Sequence, residues 1–185
     1  MMIKINAPIN KEELKKLRAG DSILISGIIY TARDAAHQRM AESLKKKERL
    51  PFDVQNQLIY YMGPSPSKPG QIIGSAGPTT ASRMDTYTPD LLDLGLGGMI
   101  GKGKRSSEVI HSIIKNASVY FAATGGAGAL LSKCILSSDI IAYEDLGTEA
   151  IRKLEVKDLP VVVAIDFMGN HLYGNALPGT NCTSL

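Results

Sequence analysis

The chain has 185 residues, 44% of them hydrophobic and 21% charged, with a net charge of +3. Those values fit one soluble globular domain with a sizeable core, and they exclude a collagen-like, disordered or coiled-coil chain. With no Trp and 5% aromatic residues, the chain is poorly equipped to stack single-stranded nucleic acid.

Asn10 followed by Glu13 reads as a capping box opening a short helix that Gly20 ends. Ser22 to Tyr30 is apolar and β-branched, the pattern of a buried strand. Asp34 can cap a helix running to about Lys47, and Pro51 lies beyond it. Leu58 to Met62 and Gln71 to Ser75 read as strands joined by a loop rich in Gly, Pro and Ser. Thr88-Pro89 suits a helix start, for a short helix Asp90 to Leu94. The pattern then predicts strand Gly98 to Gly101, helix Ser107 to Asn116 and strand Ser118 to Ala123. Helix Ala127 to Ile135, strand Asp139 to Tyr143, helix Thr148 to Val156 and strand Leu159 to Phe167 follow, with a turn at Met168 to His171 leading into a short terminal strand. Strands alternating with helices imply parallel βαβ units. The more strand-rich N-terminal half adds the expectation of an α/β architecture: a parallel sheet, a second sheet and helices on one side.

Two thiols, Cys134 and Cys182, stand in no ligand spacing. The chain therefore cannot supply a complete zinc or iron–sulfur site alone. Cys134, in an apolar run, reads as a buried structural thiol. Sparse thiols and no leader-like segment at the N-terminus point to the cytoplasm. No apolar run approaches the roughly 20 residues that span a bilayer. The basic run Lys45-Lys46-Lys47-Glu48-Arg49 is the solvated end of a helix rather than a nucleic-acid footprint.

Two polar clusters follow strand-like runs. In Arg33-Asp34-Ala35-Ala36-His37 a guanidinium and an imidazole stand four apart at a helix mouth, where an anion is favoured. In Gly77-Pro78-Thr79-Thr80-Ala81-Ser82-Arg83 a tight bend presents two hydroxyls and a second guanidinium. Each cluster alone is also accounted for by a capping turn, with Arg33 paired to a surface acid and the threonines satisfying backbone donors. Gly101-Lys102-Gly103-Lys104-Arg105 is either an anion pocket with glycines admitting the ligand or a flexible basic loop. It is no Walker A motif, its glycine spacing being wrong. Thr124-Gly125-Gly126-Ala127-Gly128-Ala129 resembles a dinucleotide loop superficially, but position 131 is Leu, and close helix–strand packing explains it as well. Asp166 and His171 are further candidates that read as structural.

Taken together, Arg33-Asp34-x-x-His37, Gly77-Pro78-Thr79-Thr80-x-x-Arg83-Met84, Ile100-Gly101-Lys102-Gly103 and Gly125-Gly126-Ala127 closely resemble the β subunit of the iron–sulfur-dependent fumarate hydratases and L-tartrate dehydratases. That subunit is equivalent to the C-terminal domain of single-chain class I fumarases. The resemblance runs from about Ile5 to His171 and implies one domain, a swivelling three-layer β/β/α fold, with 172–185 a frayed tail. It implies a cysteine-bearing α subunit that holds a [4Fe–4S] cluster, in a hetero-oligomer such as α2β2, acting on a small dicarboxylate. Arg33, Thr80, Arg83 and Lys102 would hold the substrate; Thr79 matches the family's catalytic threonine and His37 its active-site histidine. The glycine–lysine repeat leaves Lys104 as an alternative to Lys102. Ala81 stands where the family often carries Ser, which bears on substrate preference. Fumarate hydration to malate is the expected reaction, with tartrate dehydration the nearest alternative. A stand-alone anion- or nucleotide-binding module and a non-catalytic regulatory paralogue are the rivals from other classes.

Overall fold

The computed structural model describes residues 2–124 and 126–172. Five strands run parallel in the order β1 (Ile3–Ala7), β2 (Ser22–Thr31), β3 (Leu58–Tyr60), β4 (Gly98–Gly101) and β5 (Val119–Ala122). A long strand, β7 (Ile151–Ile165), returns antiparallel along β2 on one edge. Its other edge pairs with β5 at one end and with β6 (Ile135–Ala142) at the other, both antiparallel. The ladder β2–β3–β4–β5–β7 thus closes back onto β2. The antiparallel β2–β7–β6 group belongs to the same seven-stranded sheet as the parallel strands. The chain is mixed α/β with a central sheet and helices, as its alternating pattern implies.

The central strands β3, β4 and β5 are buried on both faces, as expected where a sheet is covered on both sides. Leu58, Tyr60, Ile100, Val119 and Phe121 join one core with Ile5, Ile25, Leu154 and Val163. The intervening Ile59, Met99 and Tyr120 join a second core under the helices, with Met40, Leu92, Val109 and Ile113. Those helices are α2 (Asp34–Lys45), α3 (Thr88–Asp93) and α4 (Ser107–Asn116). Helix α4 is capped at its start by Ser106, which accepts from Val109 N–H at 3.3 Å, and ends with Ala117 left-handed. The short α1 (Lys11–Leu14) opens on Asn10 as expected, its side chain accepting from Glu12 N–H. Gly27 is required where β2 bulges. Its φ is +102°, and a Cβ there would lie 2.2 Å from the Ala7 carbonyl oxygen.

Several boundaries differ from the expected ones. Thr148 to Val156 is no helix: a 3₁₀ turn (Glu144–Glu149) leads directly into β7. The i, i+3 spacing of Ile151 and Leu154 imitates a helix face, but both residues are buried within a ladder flanked by β2 and β6. Helix Ala127 to Ile135 shrinks to α5 (Gly128–Leu131) plus a 3₁₀ turn, because β6 begins at Ile135. Gln71 to Ser75 is irregular rather than a strand. β1 precedes the first expected element. The expected terminal strand reduces, among the described residues, to a single Ile165–His171 bridge; Cys182 and the expected frayed tail from 173 onward lie outside them.

Candidate active site

The polar clusters converge at the carboxyl ends of the parallel strands, where open α/β sheets bind ligands. Beyond β3, the segment from Thr79 to Ala81 inserts beside the strand ends. Thr79 N–H donates to Tyr61 O at 2.7 Å, Lys102 N–H donates to Thr79 O at 3.2 Å, and Ala81 N–H donates to Lys102 O at 2.9 Å. Thr80 and Lys102 form a parallel bridge. Backbone hydrogen bonding therefore holds the threonine pair against Lys102, not Lys104. Gly101 permits this approach: a Cβ there would lie 3.0 Å from Tyr61 Cδ2 and 3.1 Å from Ala81 Cβ.

Helix α2 starts at the end of β2 and brings in the first cluster. Arg83 Nε donates to Asp34 Oδ1 at 2.9 Å, joining the threonine turn to the helix start. Arg33 makes an ion pair of 3.5 Å with Glu149. Arg33 stands at the N-cap but contributes no side-chain cap; instead Glu149 Oε2 accepts from Ala35 N–H at 2.8 Å. Glu149 thus caps α2 from a distant turn and holds Arg33 with its other oxygen. Gly63 is confined beside them, since a Cβ would lie 2.5 Å from Arg33 Nη1 and 2.8 Å from the Thr148 carbonyl oxygen. An open cavity of about 490 Å³ borders Thr148 and Arg152 and is lined also by the loop from Pro64 to Gly74. It lies beside the Arg33 end of the cluster; Thr79, Thr80 and Lys102 are not among its walls.

His37 is 0% exposed. Its Nδ1 lies 2.8 Å from Arg33 O, and a carbonyl can only accept, so Nδ1 carries the proton and Nε2 the lone pair. Nε2 has no hydrogen-bond partner. The ring meets Tyr61 edge-on at 5.3 Å. Burial, outweighing the Arg33 carbonyl and aided by the Arg105 charge, pushes the imidazole down to about 4 from its ordinary value near 6.5. It is a neutral, water-excluded group that touches no solvent-borne molecule in this conformation.

The structure thus gathers Arg33, His37, Thr79, Thr80, Arg83 and Lys102 onto neighbouring segments. Arg83, Thr80 and Lys102 are exposed, Arg33 and Thr79 half-buried. Asp166 stands apart: it accepts from the N–H groups of Ala19, Met168 and Asn170 and organises a turn. The Gly128 region is a packing contact, with a Cβ there 2.2 Å from Ser75 Oγ and 2.8 Å from Gly77 N. Among the described residues no group of three or more His, Cys, Asp or Glu side chains is placed to hold a metal. Glu149, Asp85, Tyr61 and Arg105 were not singled out by the sequence. Only Arg105 had a local signal, as the end of a basic loop; the others acquire meaning from contacts distant in sequence.

The family model described as Fumarase C-terminus matches residues 1–176. A putative L(+)-tartrate dehydratase subunit beta of Methanocaldococcus jannaschii is 37% identical over 171 residues, 89% of this chain and 88% of that protein. Fumarate hydratase 2 of Leishmania major is 36% identical over 95% of this chain and 32% of its own length. The aerobic class I fumarate hydratase of Escherichia coli is 35% identical over 98% of this chain and 34% of its own length. The chain thus spans about a third of these fumarate hydratases and nearly all of the tartrate dehydratase subunit.

Proposed function

The chain belongs to the Fumarase C-terminus family, and from that premise we propose that it is the β subunit of a hydro-lyase that reversibly hydrates fumarate to malate. The observation that carries this reading is the convergence of two arginines, a threonine pair and Lys102 at the strand ends, an array of cations and hydroxyls suited to a small dicarboxylate. The chain works as one domain beside a cysteine-bearing α subunit, in a hetero-oligomer such as α2β2, in the cytoplasm. With two cysteines this chain has too few thiolates to ligate a [4Fe–4S] group; the α subunit would hold it, and the roles that follow are those of this chain alone.

Arg33 and Arg83 clamp the carboxylates, with Lys102 adding charge and Thr80 a hydroxyl donor. Each arginine gives its internal acid, Glu149 or Asp34, only part of its fork, which leaves further N–H donors for a substrate carboxylate. In the dehydration direction Thr79 Oγ1 accepts the proton from malate C3 as the C2–O bond breaks and the hydroxyl departs as hydroxide, for which the cluster of the α subunit would supply the Lewis acid. A threonine hydroxyl is a weak base, so this role requires a neighbouring group that first takes up the Oγ1 proton. His37 serves the site from within, its Nδ1–H fixing the Arg33 carbonyl and hence the mouth of α2.

Tartrate dehydration is the second reading, supported by the similarity to a tartrate dehydratase subunit over nearly its whole length. The test is anaerobic co-expression with an α chain and separate assays of both acids. Turnover of fumarate exceeding that of tartrate is expected, and Arg83→Ala should lower kcat/KM by a few kcal/mol of transition-state stabilisation. A cluster-loaded complex that converts neither acid defeats the enzyme reading. Nucleotide binding by the chain alone would favour the module instead.

A further inference from the structure

A charge that none of the proposed steps uses lies directly beneath the site. The side chain of Arg105 is 0% exposed, and its fork spreads over three chain segments. Nε donates to Asp85 Oδ1 at 2.6 Å, Nη2 donates to Thr88 Oγ1 at 2.8 Å, and Nη2 reaches Tyr61 OH at 3.5 Å. The guanidinium carbon sits 5.3 Å from the Tyr61 ring centroid and 5.0 Å from that of Tyr120. Asp85 uses its second oxygen to accept from Ser106 N–H at 2.7 Å, while Tyr120 OH donates to Gly103 O at 3.1 Å. The cluster therefore grips both ends of the anion-facing surface: the turn that carries Arg83 and the loop that carries Lys102.

Tyr61 transmits that grip. Its carbonyl receives Thr79 N–H, its own N–H donates to Ile100 O, and its ring edges onto His37. Stability does not explain such an arrangement. A buried ion pair contributes little over a well-packed apolar replacement, and Nη1 of Arg105 is buried with no partner at all, which is itself a cost. A fork of fixed planar geometry does something apolar packing cannot: it fixes the relative placement of three segments at once.

We infer that Arg105 is a positioning residue of this site, setting the spacing of Thr79, Arg83 and Lys102 through Asp85 and Tyr61. Its kinetic consequence rests on the hydro-lyase reading; its geometric consequence does not. Arg105→Lys keeps the charge and loses the fork. In the α-paired complex this variant is expected to lower kcat about 100-fold, because a misplacement near 1 Å costs on that order. KM should rise by less than about tenfold, since exposed Arg83 and Lys102 can still follow a bound anion. In the isotope-labelled full chain the Thr79 and Lys102 amide resonances should shift while those of β1 stay in place.

A purely structural role would lower the melting temperature and leave kcat per folded molecule unchanged. Wild-type kcat together with unmoved Thr79 and Lys102 amides would overturn the inference while leaving the hydro-lyase reading intact. If the wild-type complex converts neither acid, that reading fails and the amide shifts alone decide. Should Arg105→Lys fail to fold, Asp85→Asn removes the paired acid at nearly equal size and is judged by the same readouts.

Discussion

His37 shows how far one side chain's chemistry departs from its behaviour in water. Its imidazole is shut away from solvent and held neutral, with a folded value of about 4 against 6.5 unfolded. Above pH 6.5 both states are neutral and the fold has its full stability. Between 6.5 and 4 the unfolded chain takes up a proton that the folded chain refuses, so stability falls as pH falls, by about 3 kcal/mol across the window. Urea unfolding at pH 7 and pH 5 should show about 2 kcal/mol of this loss in the wild type and much less in His37→Gln. Equal acid sensitivity in both would mean that His37 is not the group concerned. At this scale the sequence was informative where ligand-type residues stand next to strand ends. Arg33 and Lys102 directly follow β2 and β4, whereas Thr79, Thr80 and Arg83 lie well beyond the end of β3 and are brought in by the backbone contacts of Thr79 with Tyr61 and of Thr80 with Lys102. Glu149 and Arg105 could not be read that way, because their partners lie 114 and 20 residues off.

Helix α2 illustrates the same limit one level up. Its sequence offers Asp34 as a cap, but the helix begins at Asp34 with Arg33 at the N-cap, and the free Ala35 N–H is met by Glu149 from the turn before β7. Arg39 pairs with Asp145 on that same turn, so α2 and the turn are joined twice. Glu149→Ala removes a cap and an ion pair together. The expected loss is about 1 kcal/mol, a fall in melting temperature of about 3 °C for a domain of this size. Glu149→Gln, which can still accept from Ala35, should recover part of it in the same melting experiment. Full wild-type stability in the alanine variant would refute the capping role. The turn also marks where element prediction fails: a charged run with apolar residues at i and i+3 reads as a helix, and only strands on both sides make it β7. That information is non-local by nature.

Across the whole molecule, the alternation of strands and helices up to Ala123 was enough to indicate a parallel α/β core. Closure of the ladder was not, since it depends on pairings such as Ser22 with Val162. β7 is the seam on which β2, β5 and β6 all depend. Leu154, fully buried on that strand, is the place to test it. Leu154→Ala should cost about 2–5 kcal/mol and raise hydrogen exchange in β2 and β6 together, whereas exchange confined to β6 would show that the seam does not act as one unit. The two ion pairs that span this architecture, Arg33 with Glu149 and Arg83 with Asp34, bear on selectivity under the proposed reading. Anion capture becomes a matter of sharing: each incoming carboxylate joins a guanidinium that already holds a resident acid by one nitrogen. A monoacid can occupy only one of the two forks, whereas a diacid reaches both, so discrimination follows from the number of guanidinium groups a guest can span.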